Sequence, residues 1–229
     1  MHSELALPDD APTWIVELAD HTSAVASAGL WNAVVAFETR ADAQFARELT
    51  IALPEELTRE ENIALARDYV NTHFTSRGLV VDWVFHDKPG NPHIHLMHTL
   101  RPLAEAGFGP KRIKLLDEKG GELRSEKNDL RYRHFAAGFG DIKDLRVAWC
   151  DVANAHLARA GHDIRLDPRS FADRGIALTP TIHLGSAVSA LLQDGRPCHA
   201  TAGLDYATAT RIREINAKPS VILDIIVSQ

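Results

Sequence analysis
LVVDWVFHDKPGNPHIHLMHTL, residues 79–100, decides how this chain folds. Two runs of alternating character flank the turn-forming segment DKPGNP, which is rich in Pro, Gly and Asn. The pattern predicts a strand over 79–86, a second over 93–100, and a β-hairpin joining them. Alternate side chains of a strand share a face. His93 and His95 therefore point the same way, with Met97, Thr99 and Arg101, whereas Ile94, Leu96, His98 and Leu100 point the other way. A turn that sets His86 opposite His93 would bring three imidazoles to one face. Opposed Cβ atoms lie about 4.5–5.5 Å apart and diagonal ones about 7–8 Å. Three imidazoles so spaced can converge on one divalent ion. An isolated His-x-His pair is a weak signal, and a lone buried histidine is usually a hydrogen-bonded core residue, which is the reading of His98. The third histidine across the turn makes His86, His93 and His95 the expected metal ligands.

Working outward, FARELTIALP predicts another strand over 45–53, with Phe45, Leu49, Ile51 and Leu53 on one parity and Glu48 on the other. Leu79, Val81, Trp83 and Phe85 likewise oppose His86. Each strand has one apolar face for helices, and Glu48 falls with the histidines. It is the candidate catalytic carboxylate: it could orient a histidine through its second ring nitrogen or act as a general base, against the plainer reading of a surface charge. Thr58 and Glu61 form a capping-box signature for a helix closed by Gly78. Residues 104–140 read as irregular, 141–160 as a helix stopped by Gly161, and 186–193 and 205–216 as helices. SVILDIIVSQ ends the chain as an apolar segment. The expected class is α+β: an antiparallel sheet with helices packed on one face.

The 229 residues are 45% hydrophobic and 24% charged, as in a soluble globular protein. Cys150 and Cys198 form no CxxC, which argues against a disulfide framework or thiolate zinc and suits a cytoplasmic location. No apolar run is long enough to span a bilayer. MHSELALPDD has neither the basic nor the apolar part of a signal peptide. The net charge is −6, but unevenly spread: residues 1–68 carry thirteen acids against four bases. The densest basic stretch runs from Lys111 to Arg133 and includes Arg112 and Lys114. It reads either as a solvated charged segment or as a patch touching phosphates.

ARELTIALPEEL and GLVVDWVFHDKPGNPHIHLMHTLRPL resemble the MobA/MobL family of plasmid relaxases, as found in TraA-type conjugal transfer proteins. The resemblance continues in GFGPK, in the helix bearing Trp149 and in DPRSFADRGIALTPTIHLG at 167–185. It implies an HUH fold over 1–229 as a single domain, with 141–229 a mostly helical carboxy-terminal portion. It also implies a divalent ion (Mg²⁺ or Mn²⁺, with Zn²⁺ as an alternative) on His86, His93 and His95. That ion would grip the scissile phosphate of single-stranded DNA at a transfer origin while a tyrosine attacks it. Other relaxosome proteins are implied partners. The family's acidic position falls on Glu48.

None of Tyr69, Tyr132 and Tyr206 matches the family's tyrosine motif, and no Gly-Lys pair offers a helicase phosphate loop. The chain is therefore expected to be an internal piece of a longer relaxase, lacking the amino-terminal strand and the nucleophile. Arg101 is the best candidate for a phosphate contact, with a buried salt bridge as the alternative; Lys111, Arg112 and Lys114 are weaker candidates. Two other functions stand beside nicking and strand transfer: a metal-dependent phosphodiesterase using activated water, and a non-catalytic DNA-binding fragment.

Overall fold
The computed structural model describes residues 2–138, 142–179, 194 and 203–216. The chain forms two compact units, residues 1–168 and 169–229. The first is an α+β unit built on a four-stranded antiparallel sheet. Its strands are β1 (His2–Ala6), β2 (Ala46–Ala52), β3 (Val81–His86) and β4 (His93–Thr99), in spatial order β1-β3-β4-β2.

The hairpin at the centre is fixed by its turn. The amide of Asn91 donates to the carbonyl of Lys88 at 2.9 Å, with Pro89 and Gly90 between them. Gly90 has φ +73°. Proline at the second position and a positive φ at the third make this a type II turn, whose third position glycine adopts without strain. The resulting register pairs His86 with His93, Val84 with His95, and Phe85 with Ile94.

Register then sorts the faces. Trp83, Phe85, Ile94 and Leu96 are all but completely buried against α3 (Arg59–His73) and α4 (Ile142–Arg159), with Leu65, Val70, Phe74 and Leu157. Burying each such aliphatic or aromatic side chain contributes about 1.5–3 kcal/mol. Helix α3 starts as its sequence predicts: Thr58 accepts from the Glu61 amide, and the Glu61 carboxylate accepts from the Thr58 amide. Gly78, at φ +80°, ends the following 3₁₀ turn. His98 is 2% exposed, its Nδ1 bonded to the Thr99 carbonyl at 2.8 Å, in keeping with a structural role. His156, which has no evident partner in the sequence, joins α4 to α3 through Asp68 at 2.7 Å.

Three features depart from the sequence reading. First, His2–Ala6 forms a strand, β1, which pairs along β3 from His2–Phe85 to Ala6–Val81. Second, the face opposite the main core is not bare. Helices α1 (Thr13–Ala19) and α2 (Ser23–Phe37) build a second core there from Ile15, Leu30, Val34, Val80 and Phe108. Third, residues 103–134 contain small antiparallel pairs: β5 (Leu103–Ala104) with β6 (Gly107–Phe108), and β7 (Arg112–Lys114) with β8 (Tyr132–His134). Further bridges Leu116–Glu122 and Arg124–Leu130 extend the second pair into a folded arm.

In the second unit, α5 (Gly203–Asn216) buries Ala209 and Ile212. Asn216 accepts from the Thr179 amide at 2.9 Å and donates to its carbonyl at 3.0 Å. The segment expected to form a helix over 186–193 and the apolar carboxy-terminal segment lie outside the described residues. Among the described residues no helix is long and apolar enough to cross a membrane.

Candidate metal centre
On the face of the sheet away from the main core, register builds two rows. His86, His93 and Ala52 form one; Val84, His95 and Thr50 form the next. The strand period of two thus becomes a triangle of imidazoles. Ring centroids of His86 and His93 lie 5.0 Å apart, those of His86 and His95 4.9 Å, and those of His93 and His95 5.2 Å. Each ring offers a nitrogen such that the three lie within 4.8 Å of one another, the one His/Cys/Asp/Glu cluster able to hold a metal among the described residues.

Hydrogen bonding selects the nitrogens. His93 Nδ1 lies 2.8 Å from the Asn91 carbonyl, which only accepts, so Nδ1 carries the proton and the Nε2 lone pair is free. His95 Nδ1 lies 3.2 Å from Glu48 Oε1 and 3.3 Å from Thr50 Oγ1. The carboxylate likewise fixes the proton on Nδ1 and frees Nε2. This pairing of a ligand's second nitrogen with a carbonyl or carboxylate is the usual support of a metal-binding histidine. Partial burial, then the charges of its two neighbours, hold the His86 imidazole below its ordinary pKa, which favours the neutral, ligating form. Three converging imidazoles, two of them with their outer nitrogens hydrogen-bonded, fit a divalent cation, and fewer than four protein ligands leaves room for substrate.

The Glu48 carboxylate lies half-exposed against His95 Nδ1. Glu48→Gln keeps an acceptor but removes the charge. Divalent-ion affinity, measured by isothermal titration, is expected to fall about 10–100-fold, with the thermal midpoint unchanged.

Beyond the triad the same face carries Asp82, in the row of Met97 and Glu48. Its Oδ2 accepts from Ser27 Oγ at 2.5 Å and from Trp31 Nε1 at 2.8 Å. These bonds pin α2 over the Asp82 end of the face. An acid in the middle of a predicted strand is the one sequence signal for this anchor.

The basic candidates lie elsewhere. Arg101 forms a fork on Glu38, with Nε–Oε1 2.8 Å and Nη2–Oε2 3.2 Å, and donates to the Gly109 carbonyl at 3.0 Å. The salt-bridge alternative therefore describes Arg101, which also lies over the Phe37 ring. Lys111 bonds Glu38 Oε1 and the Gln44 carbonyl, each at 2.7 Å. Lys114 is paired with Glu122. Arg112 is exposed in β7, and its side chain has no hydrogen bond or ion pair among the described residues.

The Glu38 side chain is 6% exposed, and Arg101, ahead of Lys111, brings its carboxyl down from 4.5 to about 2 despite the cost of burial. A depressed folded-state pKa stabilises the fold above the unfolded value and loses that contribution as pH falls from about 4.5 towards 2. Glu38→Gln is expected to cost about 1–3 kcal/mol at neutral pH. Its unfolding free energy, measured by urea titration, should also fall less steeply than the wild type's across that acid window.

The MobA/MobL family model matches residues 1–193. The chain is 44% identical to the conjugal transfer protein TraA of Agrobacterium fabrum over 236 residues, covering 100% of this chain and 22% of that protein. It is 43% identical to a probable conjugal transfer protein TraA of Sinorhizobium fredii, covering 99% of this chain and 21% of that protein. The chain thus spans about a fifth of the length of these relatives. A solved structure described as the molecular basis of vancomycin resistance transfer in Staphylococcus aureus superposes with a TM-score of 0.52 at 29% identity, covering 74% of this chain and 76% of the other. The family match takes in the whole sheet, the type II turn and all three histidines, and the chain belongs to the MobA/MobL family.

Proposed function
We propose that the chain holds a divalent ion, manganese or magnesium before zinc, through His86, His93 and His95. It uses that site to engage a phosphate of single-stranded DNA at a plasmid transfer origin, in the nicking and strand transfer of conjugation. The convergence of three imidazoles, two of them with Nε2 left free by a hydrogen bond at Nδ1, carries this reading, and the conjugal transfer names of the relatives support it.

A divalent ion held there supplies electrostatic stabilisation of charge on a phosphoryl oxygen. The chain's own residues do the rest. The Pro89–Gly90 turn sets the register that gathers the rings. The Asn91 carbonyl and the Glu48 carboxylate hold two of them with Nε2 outward, and the anchored α2 walls the face at its far end. Tyr69 is excluded as a nucleophile: it is 1% exposed, donates to the Leu145 carbonyl at 3.2 Å, and burial pushes its phenol up to about 12.

The test is binding of a single-stranded transfer-origin oligonucleotide, followed by fluorescence anisotropy. Manganese should tighten binding, and chelation or His93→Ala should abolish that gain. Equal affinity in all three states would reduce the chain to a metal-independent DNA-binding piece. Manganese-dependent cleavage with no DNA attached to protein would move the chemistry to water as nucleophile.

A further inference from the structure
A second feature of the first unit has no part in the triad. An open cleft of about 660 Å³ is lined by Glu38, Arg40, Asp42 and Arg47 of one segment, by Leu100 and Arg101 just after β4, and by Lys111, Arg112 and His134 of the β7–β8 arm. Its charges are five cations against two carboxylates, in a protein whose net charge is −6.

The cations divide into two kinds. Arg101 and Lys111 share Glu38 and form the floor, and Arg40 is held by Asp42. The side chains of Arg47 and Arg112 are exposed and make no hydrogen bond or ion pair among the described residues. The Glu38 carboxylate thus fixes the cleft's shape while leaving a net positive charge, and two guanidinium groups face water unspent. Such groups suit phosphate, because the planar fork matches two phosphate oxygens and is only weakly hydrated.

Beside the cleft, Phe45 is 40% exposed and lines a small adjoining recess with Arg101 and Leu100. Tyr132 is 44% exposed on β8, two residues from His134. Exposed aromatic rings next to free guanidinium groups form the usual platform for unpaired bases, each stacked base contributing sequence-tolerant affinity. An acidic protein ligand would gain nothing from the rings, so the combination favours nucleic acid. Arg47 is three positions along β2 from Thr50, which pairs with His95, and it pairs itself with His98, on the parity opposite to the triad. At about 3.4 Å per residue that is roughly 10 Å of strand, with the two side chains leaving opposite faces of the sheet, so the two places take different phosphates.

We propose that this cleft is a second anchor for single-stranded DNA, in which Arg47 and Arg112 take backbone phosphates remote from the triad and Phe45 stacks a base. This rests on the proposed DNA reading of the triad, and its test separates the two.

The experiment measures anisotropy of a labelled single-stranded oligonucleotide against salt, with the full chain and manganese present. The double variant Arg47→Glu/Arg112→Glu should weaken binding at least about tenfold at low salt. It should also flatten the slope of log K against log salt by about 1.4, or 0.7 for each phosphate no longer neutralised. Manganese affinity, read by titration calorimetry, should stay at the wild-type value. The milder Arg47→Gln/Arg112→Gln pair should show the same slope change with an unaltered thermal midpoint, and Phe45→Ala should lower affinity without changing the slope. His93→Ala should lose manganese but keep the wild-type salt slope measured without metal. The proposal is overturned if charge reversal leaves affinity and slope unchanged. It is also overturned if millimolar inorganic phosphate displaces the oligonucleotide from wild type and double variant alike.

Discussion
Replacing His93 with alanine is expected to lower divalent-ion affinity by at least about 100-fold while leaving the fold intact. Loss of a group that merely supports a metal ligand costs about 10–100-fold, and His93 would be a ligand itself. The remaining rings, His86 and His95, are 4.9 Å apart at their centroids and supply only two nitrogens. The fold should not notice, because His93 is only partly buried and its one hydrogen bond is to the Asn91 carbonyl of its own turn. Substitutions at such positions usually change stability by no more than about 0.5 kcal/mol. Titration calorimetry with manganese and thermal unfolding on the same sample check both halves. A drop in affinity together with a large drop in melting temperature would mean that the residue is structural.

Trp83→Ala should show the reverse pattern. Trp83 is completely buried at the centre of β3, in register with Glu4 and Leu96. Its ring packs 5.1 Å from that of His2, and its Nε1 has no hydrogen-bond partner. Truncation leaves a cavity under the sheet and should cost about 3–5 kcal/mol in urea unfolding. Trp83→Phe keeps most of the volume and removes the unpartnered N–H, so it should cost much less. Ion affinity of any variant that still folds should be near wild type, since Trp83 faces away from the triad. This pair of results, with His93→Ala, separates the two faces that strand alternation creates.

The parts of this design that are legible in the sequence share one property: their signals are local. The β3–β4 hairpin declares itself through alternation on both sides of a Pro-Gly turn, and α3 through Thr58 and Glu61. Helix α2 does not. SAVASAGLWNAVVAF is apolar all round, so it shows no stripe of period 3.6. With α2 illegible, its consequences are hidden too. Strand alternation alone places Arg101 on the face of the histidines, but its partner Glu38, 63 residues earlier, caps the end of α2. The anchor of Asp82 on Ser27 and Trp31 is hidden for the same reason. The arm at 112–134 is opaque because its strands are three residues long and mostly charged, too short for either periodicity to register.

For the candidate centre, the spacing His86…His93-x-His95 conveys the face and the turn conveys the register. The tautomers cannot be read from the sequence, because they depend on a backbone carbonyl and on a carboxylate 47 residues from its histidine.

The most direct test of the account is to count nitrogens around a bound paramagnetic ion. Electron spin-echo envelope modulation of the manganese-loaded chain should report three imidazole nitrogens, falling to two in His86→Ala. Fewer than three in the wild type, or the same count in the variant, would contradict a site built by these three rings.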